Sequence, residues 1–178
     1  MAGAISRFLS DDHVRLDELL TRSVTASGEI DRAVYDQFRA GLLRHVGMEE
    51  KLLLPALQRL QGGASFPHAA RLRLDHGALA ALLMPSPTPA ILATIRAILS
   101  VHNKLEEGTG GLYEGSDQIA ASEAESLIAR LRAAPEVMVT PHSDSPAVLK
   151  NVRGALDRAG YRMSDDEVVQ AEPDEPTS

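Results

Sequence analysis

The sequence predicts an all-α fold, an up-down antiparallel four-helix bundle with a C-terminal helical extension. Three observations predict it. Only 3% of the 178 residues are aromatic, so the core must be built from Leu, Ala, Val and Ile, a composition that favours helices over strands. Apolar residues recur at three- and four-residue steps over four long stretches. Clusters of Gly, Pro and Ser separate those stretches by short connections, which make successive helices antiparallel neighbours.

The first helix is predicted from about residue 10 to 26, with Leu9, His13, Leu16, Leu19 and Leu20 on one face. Ser27-Gly28 closes it. The second runs from about 31 to 60 and repeats inward positions at Val34, Phe38, Leu42, His45, Glu49, Leu52, Leu53, Ala56 and Leu60. Gln61-Gly62-Gly63 ends it. The third starts at Pro67, which suits a first helical position, and reaches about 84 with Leu72, His76, Leu79 and Leu83 inward. After the Pro85 to Pro89 cluster, the fourth runs to about 107 through Ile91, Ile95, Ile98, Leu99, His102 and Glu106. Gly108-Thr109-Gly110-Gly111 breaks the chain again. A fifth helix is expected from about 122 to 133, with Ser122 and Glu125 as a capping box. These elements place the bundle in residues 1–133. The remainder, 134–178, reads as a linker, a short helix bracketed by Ser145-Pro146 and Gly160, and an acidic tail with too little apolar surface to order. No internal repeat is evident.

Composition excludes several functions. There is no Cys, so thiolate zinc sites, iron–sulfur clusters and disulfides are ruled out. Six acids between Asp165 and Glu175 carry almost all of the net charge of −7, and no basic field marks the body for nucleic acid. No apolar stretch is long enough to span a bilayer, and Met1 to Arg7 lacks the regions of a signal peptide. The expectation is a soluble, cytoplasmic protein with no nucleic-acid or membrane partner. The sequence names no protein partner. It also contains no phosphate loop, no His-Glu-x-x-His helix and no nucleophile–base–acid arrangement.

What remains is a constellation of His and Glu. His45 and Glu49, and His102 and Glu106, stand four residues apart, so each pair shares a helix face. In an antiparallel hairpin, residues equidistant from the turn lie at one height. His13 and His45 have their midpoint beside Gly28, the His45/Glu49 pair and His76 at Gln61-Gly62, and His76 and His102 at Pro89. All four His therefore fall in one layer, on the inward face of each helix. Four imidazoles and two carboxylates buried together carry heavy desolvation costs unless a cation compensates them. This makes His13, His45, Glu49, His76, His102 and Glu106 candidate metal ligands. Imidazole and carboxylate without sulfur suit Fe, Mn or Zn, either as two ions or as one surrounded by all six groups. His68, two turns from the layer, and His142, in the linker, are left out. Glu50 and Glu107 are read as solvated or supporting acids; Tyr35 and Tyr113 could donate hydrogen bonds near the site, with ordinary packing the favoured reading.

These residues resemble the hemerythrin-like family, the HHE cation-binding domain. The resemblance rests on Asp12-His13 with Leu16, His45-x-x-x-Glu49-Glu50 with Leu54-Pro55, Asp75-His76, and His102-x-x-x-Glu106-Glu107 with Leu112-Tyr113. It implies a four-helix bundle holding two non-haem iron ions. Glu49 and Glu106 would bridge them, and the four His would be terminal ligands. Leu72 stands where the oxygen carriers of the family place a further His, and their spacing would make Glu107 rather than Glu106 the second bridge. The pattern is closer to the sensor and stress-related branches. The resemblance implies a protein that binds or senses O₂, NO or iron. It also admits a peroxide-decomposing or iron-centre-repairing enzyme, or a storage site.

Overall fold

The structure, a computed structural model, describes residues 3–163. The acidic stretch expected to be disordered lies outside them. Among the described residues the fold is all-helical, and the nearest approach to a sheet is one isolated bridge between Val24 and Ile30 in the first hairpin turn.

The first four helical spans form the bundle. α1 is Ala4–Arg22, beginning six residues before the sequence expectation and ending four before it. Its early start is held by Asp117, whose carboxylate accepts from Ile5 N at 2.9 Å and from the Ser6 hydroxyl. That cap comes from a distant segment, which local patterning does not reveal. α2 is Arg32–Met48, capped by Asp31, which accepts from the backbone N–H groups of Ala33 and Val34. It continues without a break through one π-helical turn, Glu49–Leu53, into α3, Leu54–Leu60. Pro55 supplies the reason. It has no N–H for the Lys51 carbonyl and its ring crowds that carbonyl, so the helix widens by one residue, and Leu54 N–H bonds to Glu49 O instead. α4 is Ala69–Leu82, starting two residues after Pro67. α5 is Pro89–Glu107, opened by the Thr88 cap and Pro89.

Two apolar clusters fill the bundle. At one end Leu16 and Leu20 of α1 meet Tyr35, Phe38 and Leu42 of α2, with Leu79, Ile95 and Ile98 from the other pair. At the opposite end Ile5 and Leu9 meet Met48, Leu53 and Leu72. The start of α1 thus packs on the end of α2, the antiparallel arrangement the midpoints required. Between the clusters lies a layer of buried polar groups.

The chain then departs from the sequence expectation. A short helix absent from it, α6 (Leu112–Ile119), follows the glycine turn and packs on α1 and α5. The turn is so close that a Cβ on Gly111 would lie 2.6–2.7 Å from three carbonyl oxygens of residues 105–108. α7 is Ala124–Arg132, preceded by a 3₁₀ turn, Ala121–Glu123. The expected Ser122–Glu125 capping box does not form, because Ser122 sits inside that turn and no side chain caps α7.

Residues 134–145 run extended over the bundle. Buried Arg39 donates to Leu83 O at 2.8 Å and to Thr140 O at 3.2 Å, and His142 donates from Nδ1 to Pro85 O at 2.8 Å. His142 is therefore a fastening residue. α8, Pro146–Ala159, starts at the Ser145 cap and ends at Gly160, whose φ of +76° is the left-handed conformation of a helix stop. It lays Val152, Ala155, Leu156 and Ala159 against α4, joining the core. No helix of the described residues is long and apolar enough to cross a membrane.

Candidate metal centre

The polar layer is assembled from one turn of each bundle helix. α1 contributes His13, α2 His45, the π turn Glu49, α4 His76, and α5 both His102 and Glu106. All six are buried, and Glu49 and Glu106 are fully so. The His13 and His45 rings stand 4.6 Å apart and the His76 and His102 rings 4.8 Å apart. Their donor atoms form two overlapping groups, His13, His45, Glu49 and Glu106 on one side and His76, His102, Glu49 and Glu106 on the other. Within each group the donor atoms lie within 4.8 Å of one another. The structure thus brings together all six residues singled out in the sequence. His68, beside Phe66 at the start of α4, and His142 stay outside the layer.

Each imidazole presents Nε2 inward and Nδ1 to an acid behind it. His13 Nδ1 donates to Glu107 at 2.5 Å, His45 Nδ1 to Asp12 at 2.9 Å, and His76 Nδ1 to Glu50 at 2.7 Å. His102 Nδ1 faces Asp75 at 3.5 Å. Such pairing fixes the tautomer and ring orientation and makes Nε2 a better donor to a metal. Glu50 and Glu107 hold the supporting role considered from the sequence, while the parts of Asp12 and Asp75 emerge only here. Asp12 adjoins His13 yet serves His45 on the neighbouring helix, and Asp75 adjoins His76 yet serves His102. Both halves of the bundle use one order, Asp-His followed by His-x-x-x-Glu-Glu. The reading of no internal repeat is therefore corrected. A repeat of site residues exists, hidden because His13 and His45 stand 32 residues apart and His76 and His102 only 26.

Three acids carry an arginine of their own. Asp12 pairs with Arg15, Glu50 with Arg73, and Asp75 with Arg71 at 2.8 Å. Burial works against the charge on Asp12, but hydrogen bonds from His45 and Arg15 prevail and hold it down at about 2. Burial likewise pushes the imidazoles down, and the surrounding carboxylates overcome it. His45 is held up at about 10 by Glu49 and Asp12, His76 at about 11 by Glu106, Glu49 and Glu50, and His102 at about 9 by Asp75 and Glu106. Glu49 and Glu106 are both shifted down against burial, Glu49 chiefly by His45 and Glu106 chiefly by His102.

The residue that sequence reasoning ranked too low is Tyr113, on α6. It is not a mere packing residue. Its hydroxyl donates to Glu49 Oε1 at 2.8 Å and lies 2.9 Å from His13 Nε2, 3.2 Å from Glu106 Oε2 and 3.2 Å from His45 Nε2. Burial, with Glu49 and Glu106 beside it, pushes its pKa well above the usual phenol value. On the other side, Glu49 Oε2, Glu106 Oε1 and His76 Nε2 are buried with no hydrogen-bond partner. His76 Nε2 lies 3.2 Å from Glu49 Oε2 and His102 Nε2 3.1 Å from Glu106 Oε1, close approaches without hydrogen-bond geometry. Donor atoms that converge without bonding to one another fit a shared cation better than they fit a hydrogen-bond network. A cavity of about 220 Å³, lined by leucines of α1, α2 and α5 and by Asp17, Arg96, Ser100 and Asn103, reaches His13 from outside.

Residues 4–85 match the family model described as hemerythrin, hemerythrin HHE cation binding domain. The match spans α1 to α4 and takes in His13, His45, Glu49 and His76. His102 and Glu106 lie beyond it and join the cluster through the fold. No curated protein and no solved structure matches the chain. The domain match and the His/Glu cluster together point to a metal-binding protein.

Proposed function

We propose that this chain is a hemerythrin-like non-haem di-iron protein that binds or senses O₂, NO or iron. His13 and His45 would hold one ion, His76 and His102 the other, with Glu49 and Glu106 bridging them. The observation that carries the reading is the sharing of both carboxylates by two four-donor groups. A single ion surrounded by six donors would need one focus, whereas each carboxylate here turns one oxygen to each histidine pair. On this reading residues 1–133 are the metal-binding unit and 134–178 an extension of it.

Bound iron would supply redox chemistry and affinity for small diatomic ligands. The chain's own part is to hold and shield. Four acids orient the imidazoles, and apolar clusters above and below keep bulk water out. Leu72 contributes no nitrogen, so the His76 side keeps fewer protein donors than an oxygen carrier would have.

The test is metal analysis of protein from iron-supplied cells, joined to its visible spectrum. About two Fe per chain are expected, with a spectrum that changes on adding O₂ or NO. Glu49→Ala removes one bridge and should lower occupancy sharply. A colourless protein with one tightly held Zn, or full occupancy in Glu49→Ala, would overturn the assignment. Oxygen evolution from peroxide, lost in His76→Ala, would make the protein an enzyme.

A further inference from the structure

Tyr113 is the group in the layer that the proposed ligand set leaves unexplained. Its ring is buried and its oxygen lies within 3.2 Å of four atoms, one each from His13, His45, Glu49 and Glu106. Those residues are one complete donor group. A phenol has a single O–H to give, so it can donate to only one of the two carboxylates it touches. Around His76 and His102 no hydroxyl group takes a corresponding place among the described residues, and Glu49 Oε2, Glu106 Oε1 and His76 Nε2 lack hydrogen-bond partners there. The pseudo-repeat of Asp-His and His-x-x-x-Glu-Glu is therefore symmetric in its nitrogens and carboxylates and broken by one oxygen.

We propose that Tyr113 is a further ligand, through its phenolate oxygen, to the ion held by His13 and His45, so that the two ions occupy chemically unequal positions. The inference rests on the two-ion reading above. The oxygen lies 2.8–3.2 Å from one donor atom each of His13, His45, Glu49 and Glu106, the spacing of neighbouring ligands around a single ion. It is also rigidly delivered. The Gly108 to Gly111 turn folds tightly back on the end of α5, and Asp117 of the same short helix is bonded to the start of α1. On ligation the O–H bond is replaced by an oxygen–metal bond and the proton leaves to solvent. One side of the centre then has two nitrogens and three oxygens, the other two nitrogens and two oxygens. An anionic phenolate favours the trivalent ion on the His13 side and leaves the His76 side as the more open position.

The full-length chain, freed of metal by a chelator, is loaded with ferrous salt and oxidised in air. Iron is counted, and visible absorption and resonance Raman spectra are taken. Wild type should hold two irons and show a tyrosinate-to-iron charge-transfer band with enhanced ring vibrations. The double variant Tyr35→Phe/Tyr161→Phe leaves Tyr113 the single tyrosine and should keep both signals, which removes dependence on how well Tyr113→Phe folds. Tyr113→Phe should lose them while retaining its helical content. Two irons in wild type without ring vibrations would overturn the tyrosine ligand and leave the two-iron centre standing. One iron in wild type but two in Tyr113→Phe would also overturn it, because the phenol would then be filling the ion's place. No iron in any form would overturn the centre itself.

Discussion

Loading the centre with metal should expel protons, and their number follows from the layer's geometry. In the ion-free protein His45, His76 and His102 are held at about 10, 11 and 9, so at pH 7 all three carry a proton on the inward nitrogen. Glu49 and Glu106 are already ionised. The three imidazolium charges stand in for the cations against the buried acids. A metal needs the Nε2 lone pairs, so about three protons must leave from these residues. The apparent affinity should then rise about a thousandfold per pH unit near neutrality, or about 4 kcal/mol. The assay is calorimetric titration with Zn²⁺ at pH 7 in buffers of different ionisation enthalpy. Tyr113→Phe is the protein to use, since no phenolic proton can then enter the count. Release close to zero, with an affinity that does not change between pH 6 and 8, would show that the imidazoles are neutral before metal arrives. The electrostatic account of the layer would then fail.

Three further outcomes follow from the same contacts. The ion-free chain should be most stable between about pH 4.5 and 6.5. The raised imidazoles contribute fully below their unfolded value of 6.5 and lose that contribution as pH climbs through 9 to 11, while the lowered Asp12 and Glu49 lose theirs as pH falls toward 2. Urea midpoints across pH after chelation check this, and a maximum above pH 8 would contradict it. Asp12→Asn weakens the acid behind His45 and should lower metal affinity about 10- to 100-fold with unchanged helical content, measured by competition with a chelator. Arg39→Ala strips charged hydrogen bonds from Leu83 O and Thr140 O and should cost about 2–3 kcal/mol, with amide exchange in α8 rising first. Equal exchange in α8 and α2 would count against that order.

The sequence by itself determined the four bundle helices and the height at which their polar residues meet. Both follow from short-range facts, a 3.6-residue repeat and the positions of Gly and Pro, and helical hairpins convert equal sequence distance from a turn into equal height. The midpoints at Gly28, Gln61-Gly62 and Pro89 were enough to gather His13, His45, His76 and His102 with Glu49 and Glu106. They could not show how acids are shared between helices, because a side chain next to one histidine in sequence faces a different helix in space. Asp12 serving His45, and Glu107 turning to His13 Nδ1 while Glu106 turns inward, are decided by helix rotation. Tyr113 was hidden for a related reason. α6 has only eight residues, too few for periodicity to declare it, and it follows a glycine turn that reads as plain loop. Its place in the layer depends on contacts with α1 more than a hundred residues away, which only the packed chain brings together.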